Sequence, residues 1–189
     1  MHSGRFRVLL DACVLYPAPV RDLLLTLAGS RLYQPLLSKE IQNEWKRNLL
    51  ANRPDLSEEQ LNWTIGKMSD SFPGANVAGY EQYISSITLP DVDDHHVVAA
   101  AIKGKADVIV TFNLKDFPVS EIEPLGIEVV HPDNFVLNVI DLDEQTAVQG
   151  FKKMVNRLKN PPLTDEDVLK ALEKGGITNG AIKLRKLLA

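Results

Sequence analysis

Residues 91–118 read DVDDHHVVAAAIKGKADVIVTFNLKDFP, and this stretch decides the fold. Asp93 or Asp94 is placed to cap a helix over 95–103, whose VVAAAI run is apolar on most sides. The next run, ADVIVTF at 106–112, is the clearest buried strand in the chain. It ends in a polar loop carrying Asn113 and Asp116. Working outward, residues 5–10 (RFRVLL) read as another buried strand ending at Asp11, and Pro17 and Pro19 punctuate the turn after it. A helix over 20–28 stops at Gly29. Residues 32–37 are short and extended, with Pro35 predicting a strand end or edge. Ser38 caps a helix over 39–51, and Ser57 with Gln60 forms a capping box for another. Residues 73–79 read as a loop and 82–89 (QYISSITL) as a strand closed by Pro90. Residues 127–130 (IEVV) are a last short strand, followed by a helical stretch around 134–139.

Strands therefore alternate with helices. The pattern predicts an α/β fold: a mainly parallel sheet covered on both faces, with functional residues at the carboxyl ends of the strands. From about residue 141 the chain turns all-helical. An amphipathic helix covers 144–158, and a break at 160–162 follows. A helix started by Thr164 and Asp167 ends at Gly175–Gly176, and a last helix covers 178–188. The expected division is an α/β domain over 1–140 and a helical extension over 141–189.

Composition narrows the class. A 44% hydrophobic content supports a sizeable core, and 24% charged residues is ordinary for a globular chain. No apolar run is long enough to span a bilayer. The N-terminus enters a strand pattern with no signal-peptide cleavage region, and one cysteine, Cys13, excludes an internal disulfide. A cytoplasmic, reducing location is expected. Cys13 lies in an apolar run and reads as a small buried hydrophobe. No Cys/His cluster has zinc-site spacing. The net charge of −4 divides unevenly: residues 1–151 carry 12 Lys/Arg and 21 Asp/Glu, and residues 152–189 carry 9 and 4. An acidic body does not suggest general nucleic-acid affinity and is better suited to collecting cations. The basic tail either contacts RNA, packs on the body, or forms a solvated face.

Four acids stand beside core-forming runs: Asp11, Glu44, Asp94 and Asp116. Converging carboxylates repel one another unless a cation holds them. A sulfur-free carboxylate set suits Mg²⁺ or Mn²⁺, and such ions support phosphodiester hydrolysis. Asp11 carries most weight, because a lone charge ending an apolar strand is costly to bury. Asp94 also fits a helix cap. Glu44 also fits a helix-surface charge, with Glu40 one turn earlier as its rival. Asp116 also fits a loop residue before Pro118. Asp91 and Asp93 read as caps or as acids behind the ligands. His95 and His96 read as one exposed and one packed residue rather than as catalytic groups.

The series LLDACVLYP, SKEIQNEWKRNL and LPDVDDHHVVAAAIKGKADVIVTFNLKDFP resembles the PIN-domain ribonucleases, and within them the VapC-like toxins of bacterial type II toxin–antitoxin pairs. The resemblance covers roughly residues 5–140 and is most specific over 91–118. The basic helical tail is similar to a C-terminal extension found in one subgroup. The resemblance implies a compact α/β fold and metal-dependent endoribonuclease activity with Mg²⁺ or Mn²⁺. It implies an RNA substrate, a cognate antitoxin as partner, a homodimer and no membrane. By motif, Asp11 corresponds to the first metal ligand, Glu44 to the helix acid by its place before Trp45, and Asp94 to the third acid. The fourth position departs from the pattern: Asn113 stands where many members have Asp, and Asp116 is the nearby carboxylate able to replace it, with Asn113 assisting. Thr111 either orients the neighbouring acid, binds a phosphate or is a structural hydroxyl. The expected function is a toxin endoribonuclease. Two alternatives are a PIN-like RNA-binding module without turnover and a DNA-directed nuclease; the latter is disfavoured because the chain lacks a long helical arch insertion.

Overall fold

The structure is a computed structural model and describes residues 6–189. Arg5, the first residue of the expected strand, and the N-terminal stretch before it lie outside the described residues. From β1 (Arg7–Leu10) the chain passes through a short turn, α1 (Ala12–Leu15), and α2 (Ala18–Gly29) to β2 (Gln34–Ser38). Helices α3 (Lys39–Asn52) and α4 (Glu58–Ser71) lead to β3 (Asn76–Val77). Next come α5 (Glu81–Ile84), α6 (His95–Gly104), β4 (Val108–Val110), α7 (Val119–Ile122) and β5 (Glu128–Val130). The chain ends in α8 (Pro132–Leu142), α9 (Glu144–Arg157), α10 (Asp165–Lys174) and α11 (Thr178–Leu188).

The strands form one sheet in the order β3-β2-β1-β4-β5, every pair parallel. The chain starts at the centre, winds outward through β2 and β3, then returns past β1 to add β4 and β5. Helices α2 and α3 pack against β2, α4 packs on α3, and α6 packs against β1, β2 and β3. Val8, Leu9 and Leu10 are all fully buried, so both faces of β1 are covered. Local chemistry sets the helix starts. Ser38 Oγ accepts from Ile41 N, and capping boxes open α4 (Ser57, Gln60) and α10 (Thr164, Asp167).

Two expectations change. Residues 82–89 are not a strand. They open with the turn of α5, and Tyr80, Ile84 and Ile87 reach the core at helical spacing. The third strand is instead Asn76–Val77, inside the stretch read as a loop. For Pro35 the strand-end alternative holds and the edge alternative does not: it is the second residue of β2, which pairs with both β1 and β3. Gln34 N bonds Phe6 O, and Leu37 N bonds Ala75 O. Pro35 therefore turns its missing N–H to the β3 side, just before β3 begins, and no ladder bond is lost.

The C-terminal helices pack onto α2: Gly150 of α9 closes on Ser30 and Thr26, and Gly175 closes on Val20. Phe135 of α8 meets Tyr33 and Phe6 edge-on, at ring distances of 5.1 and 6.3 Å. The strongest polar anchor is Asp133, only 6% exposed. It accepts from Asn179 N (3.0 Å), Asn179 Nδ2 (2.9 Å) and Gly180 N (2.9 Å), at the start of α11. The basic tail spends much of its charge locally. Lys183 pairs with Asp141 and Glu144, and Arg185 with Glu166 and Glu173. Such exposed pairs are screened by solvent and add little, so Asp133 and apolar packing hold the extension in place. Replacing Asp133 by Ala strands donors at a buried helix start, and urea unfolding should show a loss of about 2–3 kcal/mol.

Candidate active site

In a sheet of this order, the crevice opens where the chain reverses direction, between the carboxyl ends of β1 and β4. Asp11 follows β1 at that point, and its backbone N–H donates to Val110 O at the end of β4. The side chain is 4% exposed. Its Oδ1 accepts from Ala12 N at 2.7 Å. Its Oδ2 accepts from the Thr111 hydroxyl at 2.7 Å and from the Cys13 thiol at 3.1 Å. Thr111 Oγ1 accepts in turn from Asn113 N, and Cys13 Sγ from Phe112 N. Burial of a carboxylate costs several kcal/mol, while each hydrogen bond to a charged group returns about 1.5–3 kcal/mol. The three donors offset much of the burial without cancelling it. Desolvation, followed by the nearby Glu44 charge, leaves the Asp11 carboxyl raised above its ordinary value.

Thr111 thus takes the orienting role among the three its sequence left open. Cys13 is more than a small hydrophobe: it is a hydrogen-bonding partner of Asp11. Burial pushes its thiol up to about 12, so it is held protonated and is no nucleophile.

The remaining acids gather around this point unequally. Asp94 stands at the start of α6 but makes no capping bond, so its carboxylate is free. Asp91 is the capping acid, accepting from Asp93 N at 2.9 Å. Asp94 feels the charges of Asp11, Asp91, Asp116 and Glu44, and Asp11 feels Glu44. Glu44, on α3, lines the same cleft as Asp94, and its Oε2 lies 3.4 Å from His96 Nε2. Glu40 is instead tied to Arg47 at 3.2 Å. His95 and His96 are both half-buried, so the expected division into one exposed and one packed residue does not hold. Asp116 is half-buried in a short turn after β4, and Asn113 opens that turn, exposed, without a side-chain capping bond.

Glu40, Glu44, Asp93, Asp94 and His96 line a polar cleft of about 470 Å³ together with Arg47 and Asn48; Asp11 and Asp116 are not part of that lining. Among the described residues, no three His, Cys, Asp or Glu side chains form a ready-made metal cage. The donor set still fits a hard cation. It is all carboxylate oxygen, mutually repelling, and Mg²⁺ characteristically keeps several waters rather than a full protein cage. A larger cleft of about 1080 Å³ lies on the other side of α3, between Tyr16, Trp45, Leu61 and Trp63. It is mainly apolar, and none of the four candidate acids lines it.

A family model described as the PIN domain matches residues 7–115, the span holding β1 through the turn after β4. The chain belongs to the PIN-domain family. A second model, the VapC50 C-terminal domain, matches residues 132–186, from α8 to nearly the end of α11. A curated relative from Mycobacterium tuberculosis (strain ATCC 25618 / H37Rv), named "Putative ribonuclease VapC50", is 38% identical over 109 residues. That match covers 58% of this chain and 63% of the relative, just under two thirds of its length. No solved structure matches. Among the described residues, no helix is long and apolar enough to cross a membrane.

The charge crowding in this PIN domain has a measurable signature. Asp94 is pushed up to about 7, first by burial and then by Asp11, Asp91, Asp116 and Glu44. Its unfolded value is about 3.9. Between the two values the folded state binds the extra proton, so metal-free stability is greatest at the acid end of that window. It falls as pH rises through about 7. Asp11 and Asp22 are raised as well and act in the same direction. Thermal melts in chelator should drop between about pH 5 and about pH 8, and Asp94→Asn should flatten that drop and raise the melting temperature at the upper end. An unchanged profile in Asp94→Asn would show that its charge is not crowded.

Proposed function

We propose that this chain is a Mg²⁺- or Mn²⁺-dependent endoribonuclease acting as the toxin of a toxin–antitoxin pair. The observation that carries the reading is a PIN-domain chain whose β1–β4 crevice holds Asp11 buried and hydrogen-bonded by Ala12, Cys13 and Thr111, with Glu44 and Asp94 lining the polar cleft. The relative's name and the match to a VapC50 C-terminal domain support the same direction. Asp11, Glu44, Asp94 and Asp116 hold the ion directly or through water, with Asn113 assisting. A bound divalent cation supplies charge against the negative charge that develops on a phosphodiester during displacement. The chain's own part is preorganisation. Thr111, Cys13 and Ala12 hold the Asp11 carboxylate before substrate arrives. Asn48 in the cleft lining is an exposed donor for an RNA strand, and Arg47 beside it is paired with Glu40.

The antitoxin is a small protein, and the apolar cleft beside Trp63 offers it a seat, since Trp63 is 66% exposed. Trp63→Ala should weaken neutralisation by the product of a neighbouring antitoxin-like reading frame, measured as growth on co-expression. For the chemistry, the wild type should cut RNA and not DNA, and stop in chelator. Asp11→Asn should lose at least about a hundredfold in cleavage rate while melting as a folded protein. Full activity in Asp11→Asn would overturn the mechanism. RNA binding without metal-dependent cleavage in the wild type would mark a binding module instead.

A further inference from the structure

Phe112 joins the two parts of the molecule. Its backbone N–H donates to Cys13 Sγ at 3.3 Å, and Cys13 donates to Asp11. Its ring meets His131 edge-on, with centroids 5.2 Å apart and planes at 77°. On another side of the ring lies Gly176, in the turn between α10 and α11. A Cβ placed there would stand 2.9 Å from Phe112 Cε1 and 3.5 Å from Cζ, so only a hydrogen fits. The turn itself is fixed. Gly176 N bonds Glu173 O, Ile177 N bonds Leu172 O, and Ile177 is fully buried. Gly175 abuts Val20 of α2, where a Cβ would be 2.8 Å away. Two residues beyond Ile177, Asn179 and Gly180 are gripped by Asp133, which follows His131 by two positions. One short segment after β5 therefore holds both the ring of Phe112 and the start of α11. At native packing density, the turn cannot move without displacing its neighbours.

We infer that the Gly175–Gly176 turn of the C-terminal helices is a positioning element for the candidate catalytic edge. Gly176 holds the Phe112 ring, and through it the backbone that keeps Cys13, Thr111 and Asp11 in register. The consequence for turnover rests on the nuclease reading; the mechanical coupling does not.

The competing explanation is that Gly176 serves only its backbone angle, φ +93°. Gly74 has the same angle with nothing within 4 Å of its would-be Cβ, so Gly74→Ala carries the backbone penalty alone. Two measurements on the full chain separate the explanations. The first is RNA cleavage. Gly176→Ala should lower kcat on the order of ten- to a hundredfold with KM held, and Gly74→Ala should leave both near wild type. In a Phe112→Leu background, adding Gly176→Ala should cost no more than adding Gly74→Ala, because the ring edge is gone. The second is the labelling rate of Cys13, the chain's single cysteine, by a maleimide below the unfolding transition. Gly176→Ala should raise that rate several-fold over Gly74→Ala. If Gly176→Ala does not fold, Asp133→Asn loosens the same turn from its far side and is read by the same two measurements. Gly176→Ala matching Gly74→Ala in both would overturn the inference. If the wild type cuts no RNA, the nuclease reading fails, and the labelling comparison alone decides the coupling.

Discussion

Asp11 sits where a charge is hardest to keep, at the end of a strand buried on both faces. Its carboxylate is held there by donors from three places: the adjoining backbone, the turn of α1, and Thr111 just after β4. The last donor explains why the centre of the sheet must be built as it is. Only a β4 paired directly with β1 can deliver a hydroxyl across the crevice, and only the reversal of strand order makes those two strands neighbours. The core, in turn, is arranged to support this point. Val8, Leu9 and Leu10 fix the strand, Ile109 and Val110 fix its neighbour, and the polar groups emerge together at their ends.

Around that point the molecule tolerates a conflict. Asp94 is displaced to about 7, first by its burial and then by the charges of Asp11, Asp91, Asp116 and Glu44, and no cap or ion pair on it offsets them. A protein selected for stability alone would place a neutral residue at one of these positions. Local rules broken together in one cleft are the mark of a site whose partner is not part of the chain. The rest of the molecule follows the rules closely. Ser38, Ser57 and Thr164 cap the helices expected of them, the start of α6 lacks its expected side-chain cap, and Lys183 and Arg185 are paired with nearby acids.

Much of this was readable in the chain. The strands of residues 5–10 and 106–112, the helices between them and the capping boxes carry strong local signals, because buried runs and caps are set by neighbours in sequence. The acids at strand ends were visible because each interrupts an apolar stretch. What stayed hidden depends on contacts distant in sequence. QYISSITL reads as a strand by alternation, and only the core decides that Tyr80, Ile84 and Ile87 are its anchors. The two-residue β3 is too short to carry a periodic signal. Cys13 reads as a hydrophobe until Thr111 and Phe112 arrive beside it, and the one clue was its position two residues after a charge. Phe112 and Gly176 gave no sign of meeting, since 64 positions separate them and an aromatic and a glycine pair have no sequence signature.

The bond between Asp11 and Thr111 spans 100 positions. A ribosome adds about 5–20 residues each second, so Asp11 emerges roughly 5–20 seconds before the hydroxyl that holds it. The turn bearing Gly176 comes later still. During synthesis the carboxylate has no β4 to pair with, no crevice, and no fixed orientation. For a chain proposed to cut RNA, the order of its segments acts as a delay: the edge is completed only after β4 and the Gly176 turn have followed Asp11 out of the machine that made it.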